Sequence, residues 1–441
     1  LRLPNLVLST IILFVSNFIA RILGFLYKVL LSTYLGETYL GMYHIVFNFL
    51  MICLAFTTTG IPTALSCLVA KRKAIKDNHY SNVLFISTLY IAFFISMTMS
   101  LVVSLNSKFI SSKILHNSDF SLLILAICPA IVIVTISNVI RGYYYGIKKV
   151  KIPAISQIIE QVSRIILVLS IILYINDRFL NCYVALLGVS LGEIASILYM
   201  LIFLYKKPYF SNKYTINIKE FYNSSLETLK ISFPITCNRM SNIFLHSISS
   251  IIVPSRLVLA GFTYYKALSI YGIISGMVMP FIYLPFTVGS ALVVNLIPSI
   301  SQEMALNNYN NITKKINYSI LLTLFVGIIS STFFYFYGND LCLSIFKNQL
   351  AGYYLKSMCL IPLFLSLNQT LSSILHAINK EFIASVNTVV GMVIQLVCLY
   401  YLLPIPKLNI YAYIYTATAV SMLTCLLHAL VLVKATKNFK H

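Results

Sequence analysis

The chain is a succession of apolar stretches, most of them 20 residues or longer, parted by short breaks rich in Lys, Pro, Gly and Asn. A helix rises 1.5 Å per residue, so about 20 such residues cross the roughly 30 Å of hydrocarbon in a bilayer. Splitting at the breaks places candidate crossings near 6–34, 42–70, 81–106, 121–147, 152–175 and 180–205. A second set lies near 228–254, 264–304, 314–337, 353–378, 382–403 and 410–434. The expected fold class is therefore an all-α polytopic membrane protein with about 12 transmembrane helices, since lipid forces every backbone group to bond within its own helix. Composition agrees. Of 441 residues 59% are hydrophobic and 10% charged, with mean hydropathy +0.88, too few charges to clothe a soluble globule of this size. The first run, 6–33, is too long for a signal-peptide core and lacks a convincing cleavage site, so it is expected to stay as a helix.

A net charge of +21 would point to nucleic acid in a soluble protein, but here the basic residues gather in short loops. Lys71, Arg72, Lys73 and Lys76 form one group, Lys148, Lys149 and Lys151 a second, and Lys206, Lys207, Lys213 and Lys219 a third; Lys314, Lys315 and Lys380 follow, with Lys434, Lys437 and Lys440 in the tail. The alternate loops carry fewer, chiefly Lys108, Lys113, Arg178, Arg256, Lys347 and Lys407. By the positive-inside rule the richer loops and both termini face the cytoplasm, and no nucleic-acid partner is implied. Two crossings within 264–304 would break that alternation, so the run is expected to be one long bent helix, with Gly272, Gly276, Pro280, Pro285 and Gly289 as its bend or hinge points.

An internal repeat supports the count. GIKKVKIPAISQIIE at 146–160 lines up without gaps on AINKEFIASVNTVVG at 377–391, setting Lys149 over Lys380 and Ile152 over Ile383. Two six-helix lobes in the same orientation follow, 1–205 and 228–441, joined by a cytoplasmic linker at 206–227. The register fails at one informative place, where Glu160 and Arg164 face Gly391 and Gln395. Pairs of glycines four apart, Gly142 with Gly146, Gly188 with Gly192 and Gly272 with Gly276, are read as close-packing signals without a function.

Charges inside the spans are the candidate site residues. Glu160 and Arg164 are four apart with the acid first, on one helical face, and charge at that depth belongs against a bundle interior or a wet cavity. They are either a structural ion pair or part of a substrate or ion site. Arg21 and Lys28 in the first span, Glu193 in the sixth, Arg239 in the seventh and Arg256 near an outer end complete the set. Lys28 and Arg256 are within reach of an interface by snorkelling, and Glu193 is a candidate partner for Arg21. Basic groups outnumber acidic ones, which suits an anionic head group whose lipid tail stays in the bilayer. The nine cysteines and seven histidines are scattered without ligand spacing, and no nucleotide loop, HExxH or paired-carboxylate motif occurs. No metal, cofactor or covalent catalysis is expected, and the chain is not read as an enzyme.

Four stretches carry a family resemblance: ARILGFLYKVLLSTYLG at 20–36, LGMYHIVFNFLMICLAFTTTGIPTALSCLVAK at 40–71, RGYYYGIKKVKIPAISQIIEQVSRI at 141–165 and IYGIISGMVMPFIYLPFTVGSALVVNLIPSIS at 270–301. They resemble the multidrug, oligosaccharidyl-lipid and polysaccharide flippase superfamily, in its polysaccharide-biosynthesis branch, which includes sporulation proteins. The resemblance implies two lobes around a central cavity, alternating access, a lipid-linked anionic saccharide of the cell wall or spore envelope as partner, and Arg21 in the place of a first-helix arginine of lipid-diphosphate flippases. Lys28 takes the next basic position of the branch, and such relatives carry two further C-terminal helices. A cation-coupled multidrug antiporter and a non-transport scaffold for envelope or spore assembly are the alternatives; the first span lacks the acidic residue of the antiporters' cation site.

The loop charges predict that single cysteines placed at Lys73, Lys149 and Lys213, in a background without the native cysteines, stay unlabelled by an impermeant thiol reagent in intact cells, while those at Ser112 and Gln349 are labelled. Labelling at Lys213 without permeabilisation overturns the orientation.

Overall fold

A computed structural model describes residues 3–206, 217–286, 300, 303, 304, 306 and 308–437; the side chains of 3–10, 206, 238, 239, 241, 242 and 437 are not described. The regular elements among these residues are helical: α1 (Leu3–Thr58), α2 (Ile61–Ala74), α3 (Asn78–Leu105), α4 (Phe120–Gly146), α5 (Lys151–Ile172), α6 (Arg178–Lys206), α7 (Ile218–Leu259), α8 (Tyr264–Phe286), α9 (Tyr309–Phe346), α10 (Gln349–Ser357), α11 (Ile361–Ala377), α12 (Glu381–Leu402) and α13 (Asn409–Lys437). Nine described helices are long and apolar enough to cross a bilayer, and α10 with α11, bent by 50° at their junction, make a tenth. The chain is a multi-pass membrane protein.

Helix α1 contains the first expected crossing and the opening part of the second, which continues into α2; the two parts of α1 are separated at Gly36, where φ 69° and ψ 175° break the helix. Only glycine adopts that conformation without strain, and a side chain would also meet the Arg178 guanidinium 3.1 Å away.

Two compact units are present, Leu1–Ser247 and Ile248–His441, and each is described by itself. In the first, α2 lies close along α4 because Gly142 and Gly146 leave room for it. A Cβ on Gly142 would fall 2.7 Å from the Pro62 carbonyl, and one on Gly146 2.7 Å from Val69 Cβ. Around that contact Leu65, Leu68, Phe85, Ile140, Tyr143, Tyr144 and Met200 form a buried cluster. The two phenols are satisfied there, Tyr143 donating to Asn82 Oδ1 at 3.2 Å and Tyr144 to the Met200 carbonyl at 2.8 Å.

The boundary between the units falls inside α7, whose opening turns pack on α2 and α3 through a polar row recurring every four residues. Ser224 donates to Ser87 at 2.8 Å, Thr228 meets Thr88 at 3.4 Å, Glu220 pairs with His79 at 3.0 Å, and Glu227 accepts from Tyr80 at 3.2 Å. Arg72 reaches the same Glu227 carboxylate at 3.5 Å while lying 4.2 Å over the Tyr80 ring. Residues 207–216 of the linker lie outside the described ones.

In the second unit, Ile312, Ile316, Leu371, Ile374, Leu375, Ala384 and Leu432 form the core of α9, α11, α12 and α13. Helix α8 opens into a π-helical turn at Ile273–Val278, which contains Gly276 and precedes Pro280. The wider turn relieves the clash that a proline makes with the carbonyl one turn back. Pro285 is one residue before the end of the described helix; Gly289 and the remainder of the 264–304 run up to 299 lie outside the described residues.

Gly142→Val is expected to lower the unfolding temperature of the detergent-purified protein, since overpacking a tight helix contact costs about 1–3 kcal/mol. Gly24→Ala, whose Cβ would meet only Gln161 Oε1 at 3.9 Å, is expected to leave it unchanged.

Candidate functional site

Helix α5 buries one row of side chains at four-residue spacing, Ser156, Glu160, Arg164, Val168 and Ile172, while Ile155, Ile166 and Ile171 are exposed for lipid. That row is one face of a 3.6-residue helix. Two of its members are ionised groups, so the face turned inward is the charged one, as expected from sequence. Across from it stands α6, brought close by two glycines. A Cβ on Gly192 would lie 2.8 Å from the Glu160 carbonyl, and one on Gly188 would collide with Val168.

The third component comes from α4. Arg141, 7% exposed, sends Nη2 to Glu160 Oε2 at 2.9 Å, to Glu193 Oε2 at 3.0 Å and to Ser196 Oγ at 3.0 Å. Its Nη1 lies 3.5 Å from both Glu193 Oε1 and Asn138 Oδ1. On the other oxygen of Glu160, Arg164 Nη2 donates at 2.5 Å and Gln161 Nε2 at 3.3 Å. Two guanidiniums and two carboxylates thus balance, which is the condition for burying ions so deeply in the first unit. The Nε–H groups of Arg141 and Arg164 are buried without an acceptor among the described residues.

Arg21 stands beside this cluster. Asn17, Ala20 and Arg21 of α1, with Arg141, Gln157, Glu160 and Gln161, line a cavity of about 380 Å³. Every lining residue except Ala20 carries an amide, a guanidinium or a carboxylate. Such a wall offers hydrogen-bond donors and acceptors to a polar or charged group, and it is unsuited to an apolar ligand.

The structure brings Arg21, Glu160 and Arg164 into one neighbourhood and changes one sequence expectation. Glu193 pairs with Arg141. Glu160 and Arg164 are ion-paired and share Arg141 as a further partner in a four-charge cluster. Lys28 is half-buried one to two turns along α1, with no ion pair among the described residues. Arg256 is elsewhere, in the second unit, with its guanidinium 3.3 Å over the Tyr400 ring, a cation–π contact that anchors α7 to α12. The Arg239 side chain lies outside the described ones. No group of three or more His, Cys, Asp or Glu with metal-binding geometry occurs among the described residues.

Sequence reading missed Arg141, which lies inside the expected 121–147 crossing, seven residues before the Lys148 loop, and was not counted among the charges within the spans. The signal was available in the α4–α5 hairpin. Arg141 is about 7 Å and Glu160 about 13 Å from its base, a difference that an arginine side chain spans.

A family model described as polysaccharide biosynthesis protein matches residues 6–304. Stage V sporulation protein B of Bacillus subtilis is 26% identical over 426 residues, covering 96% of this chain and 82% of that protein. The lipid II flippase MurJ of the same bacterium is 24% identical, with 99% and 84% covered. Among solved structures, the inward-facing form of a multidrug resistance MATE family transporter of the MOP superfamily matches with TM-score 0.71 at 13% identity, covering 95% of this chain and 96% of that one. A MOP superfamily transporter from Pyrococcus furiosus matches with TM-score 0.67 at 14% identity, covering 98% and 96%. At these identities the structural likeness is one of fold.

Removing one member of a buried ion pair commonly costs about 3–5 kcal/mol, because the other charge is left unpaired. Arg141→Met and Glu193→Met are each expected to reduce the yield of monodisperse protein sharply, and the double change to cost less than the sum of the two. Additive losses overturn the coupling.

Proposed function

Because the chain belongs to the polysaccharide biosynthesis protein family, a branch of the multidrug, oligosaccharidyl-lipid and polysaccharide flippase superfamily, we propose that it is a flippase which moves a lipid-linked anionic saccharide across the cytoplasmic membrane. The observation that carries this reading is the polar cavity walled by Arg21, Arg141, Asn17, Gln157, Gln161 and Glu160 within helices otherwise built for lipid. A phosphate or diphosphate cannot cross hydrocarbon with its water. Guanidinium donors replace that hydration at membrane depth, where each charge-assisted bond counts for more than in water. Amide side chains offer both donors and acceptors to sugar hydroxyls. The polyprenyl tail remains in the bilayer throughout.

The work runs from the inner to the outer leaflet by alternating exposure of the site, with both chain termini in the cytoplasm. The sequence holds no nucleotide loop, so a gradient of substrate, ion or membrane potential supplies the free energy. Names among the relatives support the class of cargo: one is a lipid II flippase and another a sporulation protein.

In proteoliposomes carrying a fluorescent polyprenyl-diphosphate saccharide, Arg21→Gln is expected to slow head-group appearance at the outer face by about tenfold or more, the loss of one charge-assisted contact of about 1.5–3 kcal/mol. Arg239→Gln is expected to slow it as well. Both variants inserting normally and translocating at the parent rate overturn the reading.

A further inference from the structure

Glu160 is an unexpected resident of a cavity that receives anions. Its carboxylate lines the wall beside Arg21 and at the same time bridges Arg141 at 2.9 Å and Arg164 at 2.5 Å. We propose that Glu160 is a built-in surrogate for the substrate's phosphate: it occupies the Arg141 guanidinium while the cavity is empty, yields it to the incoming anionic head group, and returns to expel that group at the other face. This rests on the reading of the cavity given above.

Three observations support the exchange. First, Arg141 is held from its far side by Glu193 through both Nη atoms and by Ser196, so it stays in place when Glu160 leaves. Glu160 in turn keeps Arg164 and Gln161 as donors on its other oxygen, so neither partner of the broken contact is stranded. Second, Arg141 has a buried Nε–H without an acceptor among the described residues, a spare donor on the guanidinium that the head group would take over. Third, the second unit does without such charges at the equivalent place. In the repeat register Glu160 corresponds to Gly391 and, one helix on, Glu193 corresponds to Thr424. There the second unit closes by direct contact: a Cβ on Gly391 would collide with the Thr424 methyl, and Asn368 Nδ2 donates to Thr424 Oγ1 at 2.8 Å. At that place α12 and α13 meet through a glycine and a hydroxyl, where α5 and α6 carry Glu160, Arg164 and Glu193 and α4 adds Arg141. The ions of the first unit, besides tying three helices together, are therefore available for a task beyond closure.

Electrostatics gives the sign. A fixed carboxylate about 7 Å from a bound phosphate opposes it, and at an effective dielectric of about 20 this amounts to roughly a ten- to fiftyfold weakening. A surrogate anion trades affinity for release, which a carrier needs at the discharging face.

The test measures equilibrium binding and dissociation of farnesyl diphosphate, a soluble polyprenyl diphosphate, on the full chain in nanodiscs. Glu160→Gln is expected to bind the probe about ten- to fiftyfold more tightly, to release it more slowly, and to translocate lipid-linked saccharide more slowly at saturation. Glu160→Asp keeps the charge but is one methylene too short to bridge both arginines; it is expected to tighten binding by an intermediate factor, and it decides the matter should Glu160→Gln not fold. A purely structural Glu160 would give weaker binding without slower release. Probe binding by both variants no tighter than the parent's overturns the proposal. Should the parent fail to bind the probe, or Arg21→Gln bind it equally well, the cavity reading falls and the surrogate falls with it. Should Arg21→Gln weaken binding while neither Glu160 variant tightens it, only the surrogate falls.

Discussion

One guanidinium ties three transmembrane helices together. Arg141 of α4 reaches Glu160 of α5 and Glu193 of α6, and Arg164 completes the balance. In hydrocarbon such a group has no water to fall back on, so its partners must be supplied by the protein at fixed geometry. The glycines at 188 and 192 follow from this constraint, because the α5–α6 approach that lets the carboxylates converge leaves no space for a Cβ. So does the charged row on α5, whose opposite face is aliphatic. The cavity beside Arg21 is the part of this polar interior left open.

Much of the architecture is legible in the sequence because the bilayer leaves few alternatives. Apolar runs of spanning length must be helices, and the breaks between them must be loops. Helices occupy all twelve expected stretches, the eighth described as far as Phe286. The inward face of α5 is legible for the same reason, since Glu160 and Arg164 share a face that lipid cannot accept. What escaped was partnership across helices. Arg141 lies close to the end of its span and draws no notice there, and Glu193 is a candidate partner for Arg21; only the packing of α4 on α6 shows that Arg141 and Glu193 belong to each other. The packing of α7 on α3 escaped as well, because a row of Ser and Thr in α7 looks like the start of an ordinary span and carries no sign of which neighbour it will meet.

Internal repetition makes the asymmetry of the two units informative. Matching helices solve the same closure in different chemistry: ions and glycines between α5 and α6, a glycine and a threonine between α12 and α13. Where a fold is satisfied by small neutral residues in one copy, charges at the equivalent place in the other mark a task beyond packing. A cation–π contact such as Arg256 on Tyr400 shows the opposite case, in which a charge near a helix end serves as an anchor.

The placement of the seam within α7 bears on how the molecule is made. The first unit is not closed by its first six helices alone. Ser87, Thr88, His79 and the Arg72–Tyr80 pair acquire their partners only once residues 220–228 have followed. Until then α3 offers a hydroxyl-bearing face to lipid or to whatever attends the nascent chain. Closure of the first unit thus waits for the opening turns of α7, the last of its helices in chain order and one that runs on past Ser247.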